Sequence, residues 1–337
     1  VTIRVGINGF GRIGRTVFRI LASRPSIEVV GINDLFEADQ LAYLLQYDTV
    51  MGKYPGEVIA EDGTLSASGR RVKLAHERDP EKIPWREWGA SIVVESTGAF
   101  RRRDEIAKHL AAGAERVILT VPPKDEIDAM VVIGVNDDTL RPEHRLVSNA
   151  SCTTNCLAPV AKILDDAFGI EDGLMSTVHA YTNDQRLADV PHKDLRRSRA
   201  AALNIIPTST GAARAVGKIL PKLKGKIDGI AMRVPVPDGS IVELVCRLRR
   251  RPTKAEVNDA VRSAAMGRLA RIVEYSEAPL VSTDIIGNPH SAVFDALSTR
   301  ADGDGYARVL AWYDNEWGYS ERVADLVEIL SRLRPAA

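Results

Sequence analysis

Thr2-Ile3-Arg4-Val5-Gly6-Ile7-Asn8-Gly9-Phe10-Gly11-Arg12-Ile13-Gly14 is the stretch that decides the fold. Branched residues alternate through Asn8, the pattern of a buried strand. Residues 9–14 then spell G-x-G-x-x-G, and Val17, Phe18, Ile20 and Leu21 recur at helical spacing until Ser23-Arg24-Pro25 stops them. A second strand, 27–33, ends in Asp34. A glycine triplet alone is weak, but strand, glycines, helix and an acid about 20 residues on make a dinucleotide-binding fingerprint. Gly9 permits the tight turn, Gly11 lets backbone approach a pyrophosphate, and Gly14 lets helix and strand pack closely. The phosphates are expected at the helix N-terminus. Asp34 is expected to bond a ribose hydroxyl and to repel a 2′-phosphate. No arginine follows closely enough to receive one, so NAD is favoured over NADP.

Outward from this stretch the alternation continues. Strands are expected at 91–96, 116–121, 129–136 and 145–148, with a helix at 104–112 and an excursion of short strands and loops over 51–88. This order predicts an α/β, Rossmann-type, doubly wound parallel sheet. Thr97-Gly98 and Thr120 follow strand ends, where ligands gather in such sheets. The second half reads differently. Strands at 174–178, 229–236, 240–249, 291–300 and 306–313, with helices at 212–220 and 254–266, predict an α+β domain on a mixed, largely antiparallel sheet. In the last helix Val323, Leu326, Val327 and Leu330 form one apolar stripe, which is core.

The hinge between the halves is Ser148-Asn149-Ala150-Ser151-Cys152-Thr153-Thr154-Asn155-Cys156. A strand feeds it and a helical pattern, 157–168, leaves it. Cys152 therefore stands at a helix N-terminus, where free N–H groups and the dipole favour a thiolate nucleophile and can hold an oxyanion. Small polar neighbours set it apart from Cys156 and Cys246, which read as buried hydrophobes. His179 follows the strand 174–178 and is the natural partner of Cys152, as an ion pair and as a proton carrier. The basic segment 184–206 is too long to be idle and is expected to bind or to contact a subunit. Pro207-Thr208-Ser209-Thr210-Gly211 opens a helix and offers a phosphate seat. Arg233 sits within a strand, where it either clamps a phosphate or makes a strand-edge salt bridge.

Composition narrows the field. The chain has 337 residues, 45 Lys+Arg and 45 Asp+Glu, a formal charge of zero. Two domains are the default at this length, and nothing supports nucleic-acid binding or a polybasic membrane surface. Three cysteines are too few for a disulfide framework, and no zinc-finger spacing accompanies them, so no metal is expected. No apolar run is long enough to span a membrane and no leader pattern opens the sequence. A soluble cytoplasmic protein is the expectation.

The chain resembles the phosphorylating glyceraldehyde-3-phosphate dehydrogenases over nearly all its length. The likeness rests on residues 7–15, 148–156, 179–186, 191–197 and 312–319, and Ala-Ser-Cys-Thr-Thr-Asn-Cys is its most specific part. It implies an NAD-dependent enzyme of glycolysis and gluconeogenesis. D-glyceraldehyde 3-phosphate and inorganic phosphate would become 1,3-bisphosphoglycerate, through a thiohemiacetal and a thioester on Cys152, with His179 as base. Thr182 and Arg233 would hold the substrate phosphate. Ser151, Thr153, Thr210 and Gly211 would seat inorganic phosphate, with Arg197 between the two anions. Arg12, Ile13, Asp34, Arg78, Thr120 and Asn315 would join Gly9, Gly11 and Gly14 around NAD. The resemblance also implies a homotetramer, in which the 184–206 loop lies against a neighbour's cofactor. It implies domains at 1–150 and 151–315, with a C-terminal helix, 316–337, returning to the first. Pro122-Pro123, Met51 and Pro237-Asp238-Gly239 depart from the family's common residues, the last standing where Pro-Asn is usual. Three alternatives are an erythrose-4-phosphate dehydrogenase, a Cys–His hydrolase that leaves the glycines unexplained, and a non-catalytic NAD-binding module.

Overall fold

A computed structural model describes residues 2–61 and 63–333. Residues 334–337, the end of the expected C-terminal helix, lie outside the described residues. The chain divides into two compact units. The first comprises residues 1–131, 139–150 and 320–337, and the second 132–138 and 151–319.

The first unit is built on a nine-stranded sheet. Its order is Val58–Glu61, Thr64–Ala67, Arg70–Ala75, Ile27–Asn33, Ile3–Asn8, Ile92–Glu95, Arg116–Leu119, Leu146–Ser148, Ala129–Met130. Only the two pairings among the first three strands are antiparallel. Ile3–Asn8 pairs in parallel with both Ile27–Asn33 and Ile92–Glu95. The order in which strands are added therefore reverses at Ile3–Asn8, the switch point where such sheets take ligands. The helix Arg12–Ser23 buries Val17, Phe18, Ile20 and Leu21, the residues whose spacing predicted it. Trp85 and Trp88, edge to face with ring centroids 5.5 Å apart, pack with Val30 and Val93.

The C-terminal helix Trp317–Arg332 supplies this unit with Val323, Leu326, Val327 and Leu330, all fully buried. It is pinned by charge as well. Arg24, just past the end of the first helix, reaches Glu321 at 2.6 Å, Asp325 at 2.8 Å and Glu328 at 3.2 Å. The Arg116 guanidinium donates to the Leu333 carbonyl.

The second unit carries a seven-stranded sheet ordered Ile206–Ser209, Ile227–Val234, Ile170–Ala180, Ser240–Leu248, Tyr306–Tyr313, Ala292–Ala301, Val273–Ser276. Four of its six pairings are antiparallel. The strand expected over 129–136 shrinks to Ala129–Met130. Side chains explain why: Asn136 accepts from the Val132 N–H and Asp137 from the Gly134 N–H, folding the rest into a turn. Ile206–Ser209 forms a short strand paired with Ile227–Val234, and the expected helix, Ala212–Ile219, follows it with Gly211 as its N-cap.

Gly14 shows how tightly the glycine turn is packed. A Cβ there would lie 2.0 Å from the Gly9 carbonyl oxygen, and Gly9 itself has φ +89°. Gly14→Ala is expected to cost about 1–3 kcal/mol by overpacking. Urea unfolding measures this, and an unchanged midpoint would refute the close approach.

Candidate active site

The first unit presents a cradle. Gly9 turns with positive φ, and the helix N-cap, Gly11, makes no side-chain capping bond. A Cβ at Gly11 would meet nothing within 4 Å, so the backbone there faces open space. Uncapped N–H groups, open approach and a helix dipole are what a pyrophosphate requires. Asp34 Oδ2 accepts from the Phe10 N–H at 2.6 Å and Oδ1 from the Phe36 N–H at 3.1 Å. Each oxygen keeps a lone pair for a ribose hydroxyl. These residues fit a dinucleotide.

Other expected cofactor residues are placed less simply. Arg12 is paired with Asp48. Burial works against that carboxylate, but the Arg12 guanidinium and the Met51 and Val50 N–H groups hold it down to about 2. The Thr120 hydroxyl donates to the Glu95 carbonyl at 3.1 Å. Ile13 is half-buried and Arg78 is exposed. A support beneath the glycine turn escaped the sequence reading. Buried Glu95 accepts from Asn8 Nδ2 at 2.5 Å and from the Thr97 N–H at 2.8 Å. His109 Nδ1 accepts from Trp85 Nε1 at 3.0 Å, which leaves Nε2–H to donate to Glu95, also at 3.0 Å. The glycine pattern points at the turn itself; nothing in the spacing of Glu95 and His109 marks them.

In the second unit the helix is Cys152–Phe168, so the cysteine is its first residue. Ser151 is the N-cap, accepting from the Thr154 N–H at 3.1 Å. His179 ends the strand Ile170–Ala180, and its Nε2 lies 3.4 Å from the Cys152 sulfur. Its ring stands edge-on to Tyr313, at 5.8 Å. Tyr313 is a second residue missed from the sequence. Its buried hydroxyl meets Thr153 Oγ1 at 2.9 Å and Thr177 Oγ1 at 3.0 Å. The Thr153 hydroxyl thus touches Tyr313, while its backbone N–H, in the first turn that Ser151 caps, faces the Cys152 sulfur.

Burial weighs against the expected ion pair. Burial pushes the Cys152 thiol up, against the pull of the Arg233 guanidinium and the Thr153 N–H. Burial, then the charge of Arg233, pushes the His179 imidazole down to about 3. Both shifts favour the uncharged forms, thiol and neutral imidazole. His179 Nδ1 lies 2.7 Å from the Ala180 carbonyl and 2.6 Å from Arg233 Nη1. One nitrogen cannot donate to the first and accept from the second. Donation to Ala180 leaves the Nε2 lone pair facing the sulfur, the tautomer a general base needs.

Arg233 is settled by topology. It pairs in register with His179 on one side and Ile206 on the other, so its strand is interior and not an edge. Among the described residues no carboxylate pairs with it, and its buried Nε lacks any hydrogen-bond partner. The buried Thr208 hydroxyl is orphaned in the same way. Unspent donors and an unneutralised guanidinium beside the Cys–His pair define an anion seat. Arg197 adds its charge to His179 while pairing with Asp184, and with Asp194 at 3.5 Å. Thr182 is half-buried, Thr210 Oγ1 accepts from the Ala212 N–H at 3.2 Å, and Gly211 faces open space. The Asn315 side chain accepts from Ser240 Oγ at 2.6 Å. Cys156 and Cys246 are buried, the latter pushed up to about 12. Among the described residues no cluster of His, Cys, Asp or Glu is arranged to hold a metal, and no helix is long and apolar enough to cross a membrane.

The His179 imidazole titrates near 3 when folded and near 6.5 when unfolded, so its contribution to stability is present above 6.5 and lost as pH falls towards 3. The wild type is therefore expected to lose about 2 kcal/mol relative to His179→Gln between pH 7 and pH 5. Urea titrations at the two pH values measure this; a constant difference would show that His179 is not held neutral.

Comparison with known proteins agrees with both units. Residues 3–103 match the family model described as the glyceraldehyde 3-phosphate dehydrogenase NAD binding domain, and residues 151–315 match the C-terminal domain of the same family. Glyceraldehyde-3-phosphate dehydrogenase 2 of Bacillus subtilis is 55% identical over 326 residues, 96% of each chain. The Geobacillus stearothermophilus glyceraldehyde-3-phosphate dehydrogenase is 54% identical over 332 residues, 98% of this chain and 99% of its own. That of Streptomyces coelicolor is 54% identical over 329 residues, 97% and 98%. With a glycine cradle in one unit and a Cys–His pair beside an anion seat in the other, this chain belongs to the glyceraldehyde-3-phosphate dehydrogenase family.

Proposed function

We infer that this chain is an NAD-dependent enzyme that oxidises D-glyceraldehyde 3-phosphate with inorganic phosphate to 1,3-bisphosphoglycerate. The observation that carries the reading is the 3.4 Å approach of Cys152 Sγ to His179 Nε2 beside the unpartnered Arg233 Nε. The relatives named above are glyceraldehyde-3-phosphate dehydrogenases, which disfavours the erythrose-4-phosphate reading.

The chain's residues account for each step. As the sulfur attacks the aldehyde carbon, the thiol proton passes to His179 Nε2, whose lone pair faces it. The new alkoxide takes that proton back, giving a thiohemiacetal. Substrate phosphate seated on Arg233 and Thr182 holds the aldehyde carbon over the sulfur, and binding energy remote from the reacting atoms goes into positioning. The N–H groups at the start of the helix Cys152–Phe168 face the developing oxyanion. His179 then removes the hydroxyl proton while hydride departs, and the carbonyl of a thioester forms. NAD, when bound, accepts that hydride; Gly9, Gly11, Arg12, Ile13, Gly14, Asp34, Arg78, Thr120 and Asn315 are the residues proposed to hold it. Inorganic phosphate, seated by Ser151, Thr153, Thr210, Gly211 and Arg197, attacks the thioester carbon, and the sulfur leaves. A substrate anion near Arg233 also draws the guanidinium from His179 Nδ1, which raises the imidazole towards a useful base.

The proposal extends to a cytoplasmic homotetramer. Leu174 and Val245 are neighbours in register on the second sheet, and both point outward with Ile230. Leu187, Leu195 and Leu203 on the 184–206 loop are each more than 80% exposed. Apolar surface of that extent favours contact between subunits.

Purified protein, NAD and the triose phosphate, with and without inorganic phosphate, test the reading by absorbance of NADH. Sustained turnover is expected only with phosphate, and Cys152→Ser is expected to abolish it; full turnover in that variant would remove the nucleophile assignment. Arg233→Ala deletes charged hydrogen bonds worth about 1.5–3 kcal/mol each, so KM for the aldehyde is expected to rise about 10–150-fold. An unchanged KM would move the substrate phosphate elsewhere.

A further inference from the structure

Asp238 and Asp314 are the most deeply buried carboxyls described in the second unit, each 1% exposed, and the chemistry above leaves them unused. Asp238 lies in the connection between the strands Ile227–Val234 and Ser240–Leu248, and Asp314 begins the turn after Tyr306–Tyr313. Their carboxyls face each other closely enough for one hydrogen bond to form between them. Two carboxylates cannot share one, because neither has a hydrogen to donate. Asp314 has good reason to be the charged member. It accepts from the Gly287 N–H at 2.7 Å, the Glu316 N–H at 2.8 Å and the Trp317 N–H at 2.6 Å. Asp238 accepts at Oδ1 only, from the Gly239 N–H at 2.8 Å and the Asn315 N–H at 3.3 Å. Its buried Oδ2 has no donor at all.

We propose that Asp238 is a protonated positioning residue, whose Oδ2–H bonds Asp314 and locks the 314–317 turn so that Asn315 stays set against Ser240. The lock touches Asn315 twice: Asp238 Oδ1 accepts from its backbone N–H, and the neighbouring Ser240 hydroxyl donates to its side-chain oxygen. In this role Asp238 does the work of an amide, which agrees with the Pro-Asn usual at this place in the family. Unlike an amide it can lose its proton.

The charges facing Asp238 make that loss costly. Burial raises its carboxyl first, then Asp314 and Glu316 of the turn. From the helix Cys152–Phe168 it faces the Cys152 thiol, which a charge on Asp238 would push further up. The segment 281–287 contributes the Gly287 N–H to Asp314, while its own Asp284 is turned to the Val281 N–H.

The kinetic test rests on the function proposed above and on Asn315 as a cofactor contact; the other two measurements do not. Asp238→Asn keeps a donor towards Asp314 and cannot ionise, whereas Asp238→Ala removes the bond. In the wild type, KM for NAD is expected to rise several-fold from about pH 7 to about pH 10 as the proton leaves. In Asp238→Asn it stays level, and in Asp238→Ala it is raised at every pH. Because the folded protein holds a proton that the unfolded chain releases above about pH 4, wild-type stability relative to Asp238→Asn falls as pH rises. The gap in melting temperature is therefore expected to widen from about pH 5 to about pH 8. Infrared spectra of the native wild type are expected to show a protonated-carboxyl carbonyl band at neutral pH that fades in alkali. Parallel pH profiles for wild type and Asp238→Asn, a fixed melting gap, or the lack of that band would each overturn the proposal.

Discussion

A sulfur and an imidazole nitrogen held 3.4 Å apart, with burial pressing both towards neutrality, form the constraint on which the second unit turns. Neither group is reactive enough by itself in that state. What the fold adds is an unneutralised guanidinium from an interior strand, N–H groups from a helix start, and an Ala180 carbonyl 2.7 Å from the imidazole Nδ1. A dianionic substrate then does more than bind. In the proposed mechanism its phosphate, seated on Arg233, offsets the charge that keeps the imidazole acidic, and so completes the base only when there is something to act on.

The rest of the sheet serves that placement. His179 and Arg233 are neighbours because two parallel strands run in register, and Tyr313 ties a third strand to the helix start through Thr153 and Thr177. Regular strands fix side chains more precisely than loops do, which suits a contact where an ångström decides the rate.

How far the sequence carries is uneven, for physical reasons. Residues 2–34 disclose the cradle because each glycine has a local cause, and Cys152 stands out because its neighbours are small and polar. The fold class follows from periodicity, which is also local. The state of the Cys–His pair is not legible, since it depends on burial and on Arg233, 54 residues from His179. Whether Arg233 lies inside the sheet or at its edge is a question of strand order, which spacing does not encode. Tyr313, Glu95 and His109 are missed for the same reason: their roles exist only as contacts across long sequence gaps. The turn at 132–136 defeats the apolar pattern because Asn136 and Asp137 offer the backbone local bonds that compete with a ladder.

The C-terminal helix has a consequence for how the molecule is made. A ribosome delivers the glycine turn about 300 residues before residues 320–333, yet both belong to one compact unit. Arg24 emerges near the beginning and must wait for Glu321, Asp325 and Glu328 while the whole intervening unit is translated. Domains assemble as they leave the tunnel, N-terminal parts first. Here a piece that starts folding early is completed only when residues 320–333 have emerged, and until then it carries an uncovered apolar face and an unpaired cation, a nascent surface that chaperones are suited to shield.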